Sequence, residues 1–191
     1  MYAFTFERPA STADAAKPAA AGGKVLAGGQ TLLASMRLRL SSSGQIVDLG
    51  GIGDLAGICK DGNAIVIGAM TRHADVATNA EVKAAIPALA ALANGIGDRQ
   101  VRAMGTIGGS VANNDPSACY PSALLALGAT VHTTQRKIAA DDFFQGMFAT
   151  ALNDGELITA VSFPIPQRAA YMKFKQPASR FALIGVFVAQ T

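Results

Sequence analysis

Val25-Leu26-Ala27-Gly28-Gly29-Gln30-Thr31-Leu32-Leu33 runs from an apolar strand through a glycine pair into residues that recur near helical spacing, with Met36 and Leu40 following. Lys24–Ala27 therefore reads as a strand, and the segment behind the glycines as a helix. A second pair sits in Gly105-Thr106-Ile107-Gly108-Gly109-Ser110, again flanked by apolar residues and a hydroxyl. Glycine lets main chain come close to a bulky anion and adopt positive φ, so that successive N–H groups converge on it. Two facing loops of this kind suit a pyrophosphate. Either pair taken alone reads better as an ordinary tight turn, and it is their paired occurrence that favours the anion reading.

Outward from these loops the elements alternate irregularly. Ile46–Leu49 is a short strand, and Asp61-Gly62 between apolar runs signals a hairpin. Thr78-Asn79-Ala80-Glu81 has capping-box spacing, with Thr78 expected as N-cap. Pro87 ends that helix and starts another, which Gly95 and Gly97 close. Pro121 to Leu127 reads as a helix stopped by Gly128. Strands are expected at Ala129–Thr134, Leu157–Phe163, Ala170–Phe174 and Phe181–Val188, with Asp141-Asp142 capping a small helix between them. Without a repeating βα alternation, the class is α+β.

The 191 residues are 50% hydrophobic and 15% charged, which excludes a disordered chain. Cys59 and Cys119 allow at most one bridge, so this is no disulfide scaffold. No apolar run is long enough to span a bilayer and no secretory signal is evident, so the expected compartment is the cytoplasm. A net charge of +3, with basic residues in scattered pairs, argues against a nucleic-acid surface. His73 and His132 stand apart without companion cysteines, and two thiols are too few for an iron–sulfur cluster, so no metal site is expected.

Other nucleotide and nucleophile motifs fail on inspection. Gly51-Ile52-Gly53-Asp54-Leu55-Ala56 spells a dinucleotide fingerprint, but the turn at Asp61-Gly62 leaves no room for its helix. No P-loop lysine is present. Gly108-Gly109-Ser110-Val111-Ala112 lacks the last glycine of a nucleophile elbow. Cys119 is either a reactive thiol at a helix start or a small buried filler.

The two loops, in this order, resemble the FAD loops of the molybdenum hydroxylase flavoproteins, the medium subunits of carbon monoxide dehydrogenase and xanthine dehydrogenase relatives. Gly68-Ala69-Met70-Thr71-Arg72-His73, Ile96-Gly97-Asp98-Arg99-Gln100-Val101-Arg102, Asn113-Asn114-Asp115-Pro116 and Tyr171-Met172-Lys173-Phe174 with Pro177-Ala178-Ser179-Arg180-Phe181 extend the similarity across the chain. The resemblance implies a two-lobed FAD-binding fold of the p-cresol methylhydroxylase type. Its small α/β lobe would span 1–54 and its larger mixed-sheet lobe 55–175, with 176–191 opening a C-terminal domain.

By the same resemblance, FAD would be bound by Ala27, Gly28, Gly29, Gln30 and Thr31 and by Thr106, Ile107, Gly108, Gly109 and Ser110. Asp115, Ile158 and Lys173 would lie near it, with Lys175 close enough to compete with Lys173. Cys119 stands where many relatives carry an acidic residue. The implied role is electron transfer: from [2Fe–2S] clusters on a small partner subunit, which drain a molybdenum-cofactor large subunit, through FAD to NAD or another acceptor, in a hetero-oligomer. A non-catalytic FAD-holding or interaction module is the alternative. A self-contained flavin reductase, like the enolpyruvyl-UDP-sugar reductases, finds no separate substrate domain in the chain. The last strand, Phe181–Val188, is expected to expose an edge unless it folds back.

Overall fold

Ser11 starts the first helix by accepting from the Asp14 amide at 3.1 Å. That helix connects strands which would otherwise have no parallel crossover. The computed structural model describes residues 1–191. Its first elements are β1 (Thr5–Glu7), α1 (Thr12–Ala20), β2 (Lys24–Leu26), α2 (Leu32–Arg37) and β3 (Gln45–Asp48). The strands form a three-stranded parallel sheet in the order β1-β3-β2.

Two 3-10 turns, Leu49–Gly51 and Gly53–Leu55, follow where the dinucleotide fingerprint would have required a helix. Next come β4 (Ile58–Asp61) and β5 (Ala64–Gly68), joined by a tight turn with Gly62 at φ +56°. Six helices then run without an intervening strand: α3 (His73–Thr78), α4 (Ala80–Ala85), α5 (Pro87–Asn94), α6 (Arg99–Met104), α7 (Ile107–Asn113) and α8 (Tyr120–Ala126). The chain continues through β6 (Thr130–Thr133), β7 (Lys137–Ala139), α9 (Ala140–Phe143), β8 (Phe144–Gly146), β9 (Ala149–Thr150) and β10 (Ile158–Pro164). It ends in β11 (Arg168–Lys175) and β12 (Ala182–Gln190).

The larger sheet is antiparallel, ordered β4-β5-β10-β6-β7. Alternation on β5 turns Ile65 and Ile67 inward, and Val161 and Phe163 of β10 join them. Leu89 and Leu92 of α5, Ile107 of α7 and Leu124 of α8 cover that face. The smaller core contains Ala15, Val47, Leu49, Ile52 and Leu55, plus one residue from far along the chain, Leu157. Gly155, at φ +73°, brings this late loop against α1: a Cβ there would lie 2.7 Å from the Ala20 Cβ. The loop between them is held by Glu156, whose buried carboxylate accepts from Arg136 Nε (3.1 Å), Thr133 Oγ1 (2.6 Å) and the Asn153 amide (2.9 Å). No helix is long and apolar enough to cross a membrane.

Several local expectations shift. Asn79, not Thr78, caps α4, accepting from the Val82 amide at 3.0 Å, while Thr78 closes α3 by donating to the Ala74 carbonyl. Asp141 and Asp142 lie inside the first turn of α9, whose N-cap is Ala139 and has no side-chain cap. The stretch expected as a glycine loop at Ile107–Ser110 is the first turn of α7.

The last strand folds back. β11 and β12 pair from Arg168↔Gln190 to Lys175↔Ala182, so a boundary at 175/176 would cut through a hairpin. One face of this hairpin carries Tyr171 and Phe187 against the main core. The other presents Met172, Phe174, Ile184, Val186 and Val188 to solvent, each at least half exposed. A contiguous apolar face of this kind is uncommon on a soluble monomer. The chain is expected to enhance the fluorescence of the dye ANS at neutral pH. Met172→Lys combined with Val186→Lys should remove most of that enhancement, and an unchanged signal would show that the face is not the dye's site.

Candidate functional site

Backbone hydrogen bonding separates the two glycine segments. The amides of Gly28, Gly29, Gln30 and Thr31 have no acceptor within the protein, and Gly29 takes φ +72°. In the second segment the amides from Ile107 to Ser110 are all used. Ile107 N donates to Thr71 O, Gly108 N to Ala69 O, Gly109 N to Thr106 Oγ1 and Ser110 N to Thr106 O. The first segment is thus an open row of donors, whereas the second is a capped helix start. Such a row suits an anion that accepts several backbone hydrogen bonds at once.

The segments meet. A Cβ on Gly28 would overlap the Met104 carbonyl oxygen and lie 2.7 Å from the Gly105 Cα. A Cβ on Gly109 would lie 2.9 Å from Thr106 Oγ1 and 3.5 Å from the Ala27 Cβ, in the gap between the two segments. This gap opens into a cleft of about 650 Å³. That volume lies within the range of ligand pockets generally, which are mostly apolar with a few placed polar groups.

Ala27, Gly28, Gly29, Gln30 and Thr31 all line the cleft, and so do Thr106, Gly108, Gly109 and Ser110. Ile107 does not. Its side chain has no exposed surface and belongs to the main core, because the helix turns it away from its neighbours in sequence. Ile158 lines the cleft from the start of β10. Asp115 also borders it, but its Oδ1 is engaged locally by the Ser117 amide (2.9 Å) and hydroxyl (2.7 Å), which makes it a turn-former. Lys173 reaches the cleft and donates to Gly95 O (3.0 Å) and Cys119 Sγ (3.3 Å), whereas Lys175 is exposed.

Other lining residues lie in stretches that extend the family resemblance, which assigns them no contact with FAD. Ser179, Arg180 and Phe181 reach the cleft from the β11–β12 turn, and His73 reaches it from the start of α3. His73 is 5% exposed, and its Nδ1 has no partner. Burial, reinforced by the charge of Arg102, pushes its pKa down from 6.5 to about 4.

The unfolded chain therefore binds a proton at this histidine between pH 6.5 and 4 that the folded chain does not. Stability from neutral His73 is intact above pH 6.5 and is lost as pH falls toward 4, by up to about 3 kcal/mol. His73→Gln is expected to flatten this part of the pH–stability curve in urea titrations. A wild-type curve already flat over this window would refute the assignment. Glu156 acts in a lower window: burial alone would raise its pKa, but Arg136, Thr133 and the Asn153 amide hold it at about 2.

An open amide row facing a capped helix start across a cleft has the chemistry to suit a phosphate-bearing ligand. Residues 2–166 match the family model described as the FAD binding domain in molybdopterin dehydrogenase, and the chain belongs to that family. The glyceraldehyde dehydrogenase medium chain of Sulfolobus acidocaldarius is 40% identical over 133 residues, covering 66% of this chain and 47% of its own length. The carbon monoxide dehydrogenase medium chain of Afipia carboxidovorans is 38% identical over 141 residues, covering 70% and 49%. This chain thus spans about half the length of the curated relatives it matches. Among solved structures, the cyanide-inactivated form of the Cu,Mo-CO dehydrogenase superposes with a TM-score of 0.95 at 36% identity, covering all of this chain and 70% of that one. The cofactor of the family is FAD, and the open amides of Gly28–Thr31 with the gap at Gly109 fit its pyrophosphate.

Proposed function

We propose that this chain holds FAD in the cleft as the electron-transfer module of a molybdenum-dependent oxidoreductase. The four free amides of Gly28–Thr31 carry the reading, because a row of converging donors suits a pyrophosphate. Gly109, Thr106 and Ser110 leave room for it from the opposite side, and Lys173 and Ile158 lie further along the cleft. When bound, the flavin supplies the redox chemistry, and the protein positions it and shields it from water.

The small lobe, 1–54, and the large lobe, from 55 onward, are taken as the two walls of the cleft. The FAD domain is taken to end near residue 166, because the hairpin beyond it is one unit. Electrons are proposed to arrive from [2Fe–2S] clusters on a small partner subunit, fed by a molybdenum-cofactor large subunit, and to leave for NAD or another acceptor. A cytoplasmic, hetero-oligomeric setting belongs to the same proposal.

Titration of the purified chain with FAD should give saturable, one-to-one quenching of flavin fluorescence, and absence of saturation would sink the reading. Photoreduction of the bound flavin, followed by addition of NAD or an artificial dye, then tests transfer. A flavin that binds but exchanges electrons with neither would favour the FAD-holding module, for which the unpartnered hairpin face also speaks.

A further inference from the structure

The β11–β12 hairpin divides its side chains cleanly between its two faces. Tyr171↔Phe187 and Ala169↔Ala189 pair on the inner face, against the main core. Met172↔Val186, Phe174↔Ile184 and Ala170↔Val188 pair on the outer face, where cross-strand neighbours stand directly opposite one another. Met172, Phe174, Ile184, Val186 and Val188 are 53–76% exposed. They form one continuous strip of sheet surface, not a scatter of single exposed residues.

The chemistry of the strip narrows what can cover it. No polar or charged side chain interrupts the five, and the strands beneath them are paired with each other. Lys173 turns the other way, donating to Gly95 O and Cys119 Sγ. Arg168 and Lys175 lie at the two ends of the hairpin and are exposed, so they can stay in a wet rim. Such a surface asks a partner only for another apolar face, with no donor or acceptor to match. A second copy supplies that face, because a two-fold contact sets one patch against itself. Two sheet faces pack about 10 Å apart with interdigitated side chains. At these exposures the five side chains offer roughly 600 Å² per copy, so two copies would bury about 1,200 Å², which reaches the range of specific interfaces.

We infer that this face is a homodimer interface, in which the β11–β12 hairpins of two copies pack face to face about a two-fold axis. Pairing of β12 edges would be a different contact. It would join the strands through their backbones and leave the outer face in water. The inference stands whatever occupies the cleft.

Sedimentation equilibrium of the full chain between roughly 1 and 100 μM should show monomer giving way to dimer and to nothing larger. ANS enhancement per chain should fall over the same range, because the dimer covers the surface the dye uses. Met172→Lys with Val186→Lys should raise the dissociation constant roughly tenfold or more, as expected at the centre of an interface. Both positions are exposed, so circular dichroism and melting temperature should remain those of the wild type. Phe6→Lys, at an exposed residue of the three-stranded sheet, should leave dissociation unchanged. A chain that stays monomeric throughout, an assembly that runs past the dimer, or a dimer indifferent to the paired lysines would overturn the inference. So would a dimer whose ANS enhancement is undiminished, since that is the signature of edge pairing.

Discussion

Gly28→Ala is expected to strip the protein of FAD and to destabilise the fold at the same time. The new methyl overlaps the Met104 carbonyl oxygen and presses on the Gly105 Cα, and these are backbone atoms that no rotamer change can move. Relief requires the first glycine segment and the α6–α7 connection to separate, which takes the open amides away from Thr106 and Gly109. Overpacking against main chain costs about 3 kcal/mol. For a chain of this size that is about 6–12 °C in melting temperature. Calorimetry and flavin content on the same preparation check both halves. A variant that melts like the wild type would show that the segments have slack.

Gly109→Val separates the site from the fold. Its Cβ points into the gap, touching only Thr106 Oγ1 at 2.9 Å and approaching the Ala27 Cβ at 3.5 Å. The structural cost is limited to disturbing the Thr106 cap, about 1 kcal/mol. The branched side chain, however, fills space that the pyrophosphate needs. Affinity for FAD should fall roughly a hundredfold, about 2.7 kcal/mol, in an equilibrium titration. Full retention of flavin would mean that the α7 side of the gap is not part of the cradle. Together the two variants distinguish a cleft that has come apart from one that is intact but blocked.

The first glycine segment was readable because its signal is local: apolar residues, a glycine pair, then helical spacing. The second misleads because glycine is a poor helix former. Its helix forms nonetheless, since Thr106 caps it and Gly108 fits against Ala69, where a Cβ would sit 2.6 Å from the Ala69 Cβ. That same turn explains Ile107. A contiguous motif assigns every residue to one surface, but a helix rotates its neighbours apart and buries this one. Thr78 and Asn79 are both competent caps, so spacing alone could not choose between them. Helix α1 escaped notice because its alanines carry little periodic contrast and Pro18 interrupts the pattern. The cleft itself is non-local: His73, Lys173 and Arg180 come together only through packing, which no window of sequence reveals.

Leu157 also bears on how the chain is made. The core beneath the parallel sheet is assembled from residues up to Leu55 and then completed by this one side chain, delivered by the Gly155 loop that docks on α1. During synthesis the first strands therefore leave the ribosome with their interior unfinished, and they wait for most of the following sheet and helices to be translated. Domains generally fold as units, the earlier before the later. Here the amino-terminal lobe depends on a segment that emerges more than a hundred residues behind it. An early stop or a stalled ribosome before residue 157 would leave an open parallel sheet, the kind of intermediate on which chaperones act.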